Sequence, residues 1–445
     1  MRFRPVMAAV IPAGAAAVVL AILPVAASAA AAPGATAAGH LAPAVSAPLA
    51  YRLIGKVRPS ASTGLFPCQE PGAATNCYTP QELATAYDIP ARLNGAGQTI
   101  VAVDAFGDPT LGQDLAVEDS TFGLPKPRVK VIYPQGKPAF NPKSADEVNW
   151  TGEISLDVES VHAIAPAATI VLVVAKSDND PDMYQALQYT VKHRLGSVLS
   201  LSYGEAESCE ARSVLQAEHQ LFATAAARGV SVFASSGDTG AAEVNCKGTS
   251  YFKSVDVPAA DPLVTGVGAT SLTAAQPSGR YQSERAWNNK YGASGGGYSR
   301  SFPRPSYQAG LVSAPGRGVP DVAYSGDTNN GLLIAWSEGS AANVGDFATF
   351  GGTSAGSPQW AAITALADQA ARKRLGLLNS RLYALARSSH YHSVFHDVTA
   401  GSSTVTLTRP NGGTVHVTGY PATKGWDAVT GLGTPDVAQL LRYLH

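Results

Sequence analysis

One segment decides the fold of this chain: Gly351-Gly352-Thr353-Ser354-Ala355-Gly356-Ser357-Pro358, which continues into Gln359-Trp360-Ala361-Ala362. The alanine-rich continuation predicts a helix, so Ser354 falls in the first helical turn. There its hydroxyl and backbone N–H lie at the positive end of the helix, which favours a developing oxyanion. The small neighbours allow a substrate backbone to approach closely. Gly-Thr-Ser alone is equally typical of a serine that caps a helix, so the rest of the chain must decide.

Upstream of this segment, apolar runs alternate with amphipathic stretches. The runs predict strands at Thr99–Phe106, Val129–Tyr133, Thr169–Ala175, Ser197–Tyr203, Val230–Ser235 and Leu263–Val267. The stretches predict helices at Thr110–Phe122, Glu153–Ala165, Pro181–Leu195 and Glu210–Arg228. Continuously apolar strands indicate a parallel sheet that is buried on both faces. The chain is therefore predicted to be a doubly wound α/β protein, with helices on both faces of a mostly parallel sheet.

The predicted helix from Glu153 to Ala165 carries a pair of carboxylates. Glu153 and Asp157 lie four residues apart, so they share one helical face at the edge of the apolar stripe. Adjacent carboxylates disfavour double ionisation, so the pair retains a proton and can serve as the general base of a serine. The same pair is also typical of a solvated helix face. His162, the competing base, is turned to the opposite side of the helix, which indicates a packed or surface histidine.

A third acidic residue follows a predicted strand, at the end of Ser235-Ser236-Gly237-Asp238. An aspartate in this position commonly caps a turn. In a peptidase that works in acid, a protonated Asp238 could instead donate a hydrogen bond to the tetrahedral oxyanion.

Taken in order, Glu-x-x-x-Asp, Ser-Gly-Asp and Gly-Thr-Ser-x-x-x-Pro resemble the motifs of the sedolisin family, the serine-carboxyl peptidases with a subtilisin-like fold. The resemblance runs from about residue 66 to the C-terminus. It implies that Ser354 is the nucleophile and Glu153 its base, and that Asp157 orients Glu153 and shares its proton. It further implies that Asp238 is the oxyanion donor, that the substrates are proteins or peptides, and that activity is highest in acid. Internal cleavage and tripeptide removal both remain open.

The segment Ser200-Leu201-Ser202-Tyr203-Gly204 resembles the strand on which this family binds the substrate backbone. Tyr203 stands where tryptophan is usual, and this difference bears on side-chain preference more than on catalysis.

Two segments near the C-terminus, His396–Thr399 and Lys424–Asp427, resemble the two halves of the family's calcium site. The resemblance implies one structural calcium ion, bound by the carboxylates of Asp397 and Asp427 and by the carbonyls of Val398, Thr423 and Gly425. An all-oxygen shell with two carboxylates suits this hard cation. Without the resemblance, both aspartates would be taken as turn residues. Between the two segments, Thr404–Thr408 and Thr414–Thr418 flank Asn411-Gly412-Gly413 and predict a hairpin.

The N-terminus indicates export. A basic start, an apolar run and a small-residue exit predict a signal peptide over residues 1–29, in preference to a membrane anchor. Residues 30–65 are rich in Ala, Pro, Gly and Ser and are interpreted as a linker or short pro-segment, followed by a catalytic domain over 66–445. Export also agrees with four cysteines, for which an oxidising compartment favours disulfides. Of the three possible connectivities, Cys68 with Cys77 would be a local link, and Cys209 with Cys246 would join two strand ends.

The balance of 32 basic and 33 acidic residues offers no nucleic-acid footprint and no polybasic membrane patch. We therefore expect no nucleic-acid partner and no stable membrane association once the signal is removed. Two other functions agree with the same sequence. One is a secreted relative that binds peptides without catalysis, although all four catalytic candidates are present. The other is a histidine-dependent subtilase, which would need His162 and would work near or above neutral pH.

Overall fold

An eight-stranded, mostly parallel sheet forms the centre of residues 50–444, the part of the chain that the computed structural model describes. Seven strands follow one another across the sheet in the order Arg280–Ala286, Thr265–Ala275, Ser231–Ser235, Val198–Leu201, Thr99–Ala105, Thr169–Ala175 and Arg128–Ile132. The eighth, Val322–Ser325, pairs in parallel with Thr265–Ala275. The pairing of Arg280–Ala286 is antiparallel, and the other neighbours are parallel.

The described helices are α1 (Pro80–Ala86), α2 (Leu111–Phe122), α3 (Ala145–Ile164), α4 (Asp180–His193), α5 (Arg212–Ala227), α6 (Gly356–Ala371), α7 (Asn379–Ala386), α8 (Tyr391–Val394) and α9 (Val437–Leu440). Alternate strand residues point to opposite faces of the sheet. Ile100 and Ala102 pack with α3 and α6, whereas Val101 and Val103 pack with α4 and α5. This is the doubly wound α/β architecture that the strand–helix alternation predicts.

Helix α3 differs from its prediction in length and in burial. It begins at Ala145, where the side chain of Ser144 accepts the N–H of Glu147 as a helix cap. Its residues from Trp150 to His162 are buried on every side, because α3 contacts the sheet, α2 and α6 at once. The predicted apolar stripe is buried, but the prediction that the carboxylate pair lies at its edge is wrong. Glu153 and Asp157 lie in the interior, at 4% and 0% exposure.

Other boundaries shift by a few residues. Thr169–Ala175 is a strand as predicted, whereas the strand predicted at Leu263–Val267 runs over Thr265–Ala275 and ends in a β-hairpin with Arg280–Ala286. The predicted hairpin near the C-terminus is confirmed and pairs Val405–Thr408 with Thr414–Val417.

The segment expected to be a linker contains a strand. Tyr51–Lys56 pairs antiparallel with Asp346–Phe350, the strand that runs directly into the Ser354 segment. The predicted signal peptide and residues 30–49 lie outside the described residues. Disulfides join Cys68 to Cys77 and Cys209 to Cys246. Within residues 50–444, no helix combines the length and the apolar character that crossing a bilayer requires.

Candidate active site

Ser354 lies in a single 3-10 turn, Thr353–Ala355, that leads directly into α6. The helix is buried from Gly356 to Asp368. Its Trp360 stacks on Phe233 with ring centroids 6.3 Å apart, and its indole N–H donates to the carbonyl of Ala323 at 3.0 Å. Burial of a side chain of this size contributes about 2–3 kcal/mol. The contact holds the serine's helix against the strand that leads to Asp238.

Asp238 is fixed against the residue before the serine. Its Oδ1 accepts the backbone N–H and the hydroxyl of Thr353, each at 2.7 Å. The same hydroxyl oxygen accepts the N–H of Gly237 at 3.1 Å. Burial raises the pKa of Asp238 above its usual value, and the two hydrogen bonds from Thr353 oppose that rise. A carboxyl group that holds its proton to higher pH than a free aspartate is therefore fixed beside the nucleophile candidate.

Glycine is required at position 352 for this approach. Gly352 has φ +85°, a left-handed conformation that side-chain-bearing residues rarely adopt. A Cβ there would also collide with the carboxyl group of Asp238. The glycine that the sequence motif places before Thr353 thus permits close contact between two distant segments.

Glu153 meets the serine from α3. The Ser354 hydroxyl contacts the Glu153 carboxyl and lowers its pKa, but burial raises that pKa by much more, with further increases from Asp104 and Asp238. Glu153 Oε1 has no hydrogen-bond partner within residues 50–444. The carboxyl group can therefore accept a proton from Ser354.

Asp157 lies one helical turn from Glu153 and is fully buried. Its Oδ1 accepts the hydroxyl of Ser202 at 2.7 Å, a bond that joins α3 to the segment following Val198–Leu201. Burial, then Asp104, then Glu153 raise the pKa of Asp157 well above its usual value. The structure therefore brings Ser354, Glu153, Asp157 and Asp238 into one site, and their catalytic roles stay predictions.

Asp104 is a fourth buried carboxyl of this site, and the sequence analysis missed it. It lies near the end of Thr99–Ala105 at 0% exposure, and burial raises its pKa to about 7. It acts electrostatically on both Glu153 and Asp157. The available signal was a lone charge within an otherwise apolar strand, since such a charge is rarely buried without a function or a partner.

His162 is a packed histidine, as predicted. It is buried at 1% exposure, and its Nε2 lies 2.9 Å from Asp119 Oδ1 on α2. The ring is thus bound to a residue of the α2–α3 interface, while Ser354 contacts Glu153.

The two predicted calcium-binding segments lie side by side. The N–H of Gly425 donates to both oxygens of Asp397, at 3.1 and 3.2 Å, and the N–H of Thr423 donates to Asp427 Oδ2 at 3.0 Å. Among the described residues, no donor binds the carbonyl oxygens of Val398, Thr423 or Gly425. Burial raises the pKa of Asp427 to about 6. Two carboxylates and three carbonyls without donors, carried by these adjacent segments, are the kind of oxygen ligands that a hard cation such as calcium prefers.

Comparison with known proteins first defines the class. The sequence model of the subtilase family (Peptidase_S8) matches residues 144–390, which include α3, Asp238 and Ser354. Together with the doubly wound fold, this match defines a subtilisin-like serine-type peptidase.

Individual relatives then define the family. The chain is 34% identical to kumamolisin of Bacillus sp. (strain MN-32), over 90% of this chain and 72% of that protein. It superimposes on the structure of Pseudomonas sedolisin, a serine-carboxyl proteinase complexed with pseudo-iodotyrostatin, with a TM-score of 0.71 and 31% identity. That alignment covers 83% of this chain and 98% of the other. Tripeptidyl-peptidase SED2 of Arthroderma otae is 35% identical over 61% of this chain and 46% of its own length. The chain belongs to the sedolisin family of serine-type peptidases.

Proposed function

We propose that this protein is a secreted serine-carboxyl peptidase that hydrolyses peptide bonds in acid through an acyl-enzyme on Ser354. The observation that carries the proposal is the placement of two buried carboxyls next to one serine. Glu153 contacts the Ser354 hydroxyl from α3, and Asp238 binds Thr353, the residue before the serine. A hydroxyl between a base and a protonated donor is suited to acyl transfer.

In the acylation step, Glu153 accepts the proton of Ser354 as Oγ attacks the carbonyl carbon of the scissile bond. The carbonyl oxygen, as it becomes negative, accepts a hydrogen bond from protonated Asp238. The partial positive charge at the start of α6 also stabilises this oxygen. The C–N bond then breaks, and Glu153 returns the proton to the leaving amine.

Deacylation repeats these steps with water. Glu153 takes a proton from the attacking water, and the ester bond to Ser354 Oγ breaks while that oxygen recovers the proton. Asp157 positions Glu153 and shares its proton, because two close carboxyls disfavour a second negative charge. The hydroxyl of Ser202 at 2.7 Å from Asp157 Oδ1 supports this positioning role.

A trapped intermediate tests the proposal. Wild-type protein mixed with a peptide ester in acid and quenched rapidly should gain the mass of one acyl group, located on Ser354 by peptide mapping. Ser354→Ala should show no adduct, and its turnover should fall by at least ~10³-fold, since only binding and the oxyanion site remain. Wild-type turnover in Ser354→Ala would refute the assignment. A correctly folded wild type that binds peptides but cleaves none would instead indicate the silent relative.

We further propose one structural calcium ion at Asp397 and Asp427 and the carbonyls of Val398, Thr423 and Gly425. Two observations support this ion: the three carbonyls accept no hydrogen bond within the described residues, and the segments that carry the two aspartates are hydrogen-bonded to each other. When bound, the ion supplies electrostatic cross-linking of two loops and takes no part in proton transfer. Secretion is supported by the signal-like N-terminus and by the two disulfides.

A further inference from the structure

Three aromatic side chains lie between the segment that leads to the proposed nucleophile and the helix that carries the proposed base. The ring centroids of Tyr51 and Trp336 are 4.7 Å apart, and those of Trp336 and Phe350 are 5.5 Å apart. Tyr51 and Phe350 stack on each other at 5.9 Å. We call these three residues the aromatic cluster. Trp336 and Phe350 are fully buried, Tyr51 is half-buried, and none of them has a role in the mechanism proposed above.

The aromatic cluster adjoins the segment of the nucleophile candidate through Phe350. This residue ends a strand that is paired on both sides, with Tyr51 as its partner in one neighbouring strand. The N–H of the next residue, Gly351, donates to the carbonyl of Ala50 at 2.9 Å. Ser354 follows shortly after in the chain. The position of Phe350 therefore sets where the Ser354 turn begins.

The aromatic cluster binds α3, the helix of the proposed base, through Trp336. The indole N–H of Trp336 donates to the hydroxyl of Thr151 at 2.9 Å, and both residues are buried. The backbone N–H of Ala335, the residue before Trp336, donates to Glu159 Oε2 on the same helix at 2.9 Å. Two successive residues of one segment thus bind α3, and their contacts lie on either side of Glu153 along the chain.

The contact at Thr151 lies on the side of α3 that faces away from Ser354. Each residue of an α-helix turns by about 100°, so Glu153 is about 200° from Thr151 and projects from the opposite side. There the carboxyl of Glu153 contacts the Ser354 hydroxyl. Trp336 therefore supports the helix on one side while the proposed base meets the nucleophile on the other.

We propose that the aromatic cluster is a positioning device, in which Trp336 acts through Thr151 to set the approach of Glu153 to Ser354. This inference rests on the proposed peptidase function. Proton transfer requires the two oxygens to come within about 2.6–3.2 Å, and a misplacement of about 1 Å lowers a rate by about 10²-fold. Because the cluster contacts the segments of both groups at once, a change in its shape changes the distance between them.

Two substitutions remove the bond between Trp336 and Thr151 from either side. Trp336→Phe keeps an aromatic ring without the N–H, and Thr151→Val keeps the shape of threonine without the hydroxyl. We expect each variant to lower kcat by about ten- to hundredfold and to leave KM within about twofold of the wild type. The double variant should be within about twofold of the slower single variant, because both changes remove one contact. Thr151→Ser keeps the hydroxyl and should retain most of the wild-type kcat.

A pH profile separates positioning from a general loss of stability. The contact with the Ser354 hydroxyl lowers the pKa of Glu153, so its loss should raise that pKa. The acidic limb of kcat/KM, which requires an ionised base, should then move to higher pH. Asp104, Asp157 and Asp238 also face Glu153 and are unchanged in these variants. The alkaline limb should therefore stay where it is in the wild type.

Two control variants accompany these measurements. Tyr383→Phe removes a hydrogen bond of another fully buried aromatic residue, whose hydroxyl donates to Asp321 Oδ1 at 2.9 Å. It should lower the melting temperature while kcat and the acidic limb stay unchanged. Asp88→Asn, a change at an exposed position with positive φ, should match the wild type in all three measurements.

The outcomes distinguish this inference from the proposed function. If Trp336→Phe and Thr151→Val lower the melting temperature but keep kcat and the acidic limb, the aromatic cluster is only structural and the inference is overturned. An equal fall of kcat in Tyr383→Phe would overturn it as well, and in both cases the Ser354 mechanism would stand. If Trp336→Phe does not fold, Thr151→Val and Thr151→Ser make the same comparison. Wild-type turnover in Ser354→Ala would instead refute the peptidase proposal itself.

Discussion

Thr353 donates both its backbone N–H and its hydroxyl to Oδ1 of Asp238, each at 2.7 Å. These bonds occupy one oxygen of the carboxyl group and leave Oδ2 to carry the proton. A Cβ at Gly352 would collide with that carboxyl, so the free oxygen lies against the segment that leads to Ser354. This geometry supports the proposed role of Asp238 as a hydrogen-bond donor beside the proposed nucleophile Ser354.

Asp238→Asn tests this relationship. Asparagine keeps the acceptor for Thr353 and offers an N–H in place of the acid proton, but it cannot lose that donor as pH rises. We expect kcat to fall by about 10²-fold, the usual loss when an oxyanion donor is weakened or displaced, with little change in KM. The alkaline limb of the pH profile should also move upward. A variant with the wild-type alkaline limb would show that Asp238 does not govern it.

The pH optimum should be acidic, below about pH 5, because the proposed oxyanion donor must be protonated. Asp238 donates only while protonated, and its raised pKa means that the donor is lost as pH rises through that value. Glu153 must lose its proton to act as a base. Glu153, Asp157 and Asp104 interact electrostatically, so they lose their protons one at a time. The loss of the first proton leaves one negative charge shared among them, which is enough for a base. Rates on a denatured protein from pH 3 to 9 measure both limbs.

Two variants decide which base produces this profile. Glu153→Gln should lose at least ~10²-fold in kcat at every pH, because general-base catalysis contributes about that much. His162→Ala should keep the acidic optimum, since His162 binds Asp119 at 2.9 Å. Because His162→Ala also removes a buried side chain, its melting temperature is measured to separate lost packing from lost catalysis. A neutral optimum that Glu153→Gln leaves intact would favour the histidine-dependent alternative.

The sequence predicted which residues form the candidate site better than it predicted how deeply those residues are buried. The resemblance carried by three ordered motifs placed Ser354, Glu153, Asp157 and Asp238 in one site, and the structure brings these residues together. The sequence analysis did not predict the burial of α3. Helical periodicity reveals one apolar face, but it does not reveal that a helix contacts the sheet, α2 and α6 at once. Asp104 was missed for the same reason. Its significance arises from two residues of a helix that lies far from it in sequence.

Calcium should affect stability more than chemistry. An ion that binds only the folded chain stabilises it by about 2.7 kcal/mol at a concentration 100-fold above Kd. A chelator should therefore lower the melting temperature of the wild type, and added calcium should restore it. Asp427→Ala should remove this response, while Asp88→Asn should retain it. An identical melting curve with and without chelator in the wild type would contradict the proposed ion.

Glu118 and Glu159 form a buried carboxyl pair at the interface of α2 and α3, both at 0% exposure. Burial raises the pKa of both groups well above the usual value, and Glu118 adds to the rise for Glu159. A carboxyl with a raised folded-state pKa contributes stability that is fully present below the unfolded pKa of ~4.3. That stability is lost as pH rises through the folded value, because the unfolded chain then ionises more readily.

The fold should therefore weaken from about pH 4 upward, and Glu159→Gln should reduce this loss. Glutamine keeps the acceptor that the N–H of Ala335 uses at 2.9 Å, so the hydrogen bond survives while the charge does not. Urea denaturation at pH 4, 6 and 8 in a Ser354→Ala background avoids self-cleavage. We expect the free energy of unfolding of Glu159→Gln, relative to that of its parent, to increase from pH 4 to pH 8 and to equal or exceed the parent's value at pH 8. Asp88→Asn should follow its parent at every pH. If the free energy of unfolding fell equally with pH in Glu159→Gln, in Glu118→Gln and in the parent, this pair would not be the cause of the pH dependence of stability.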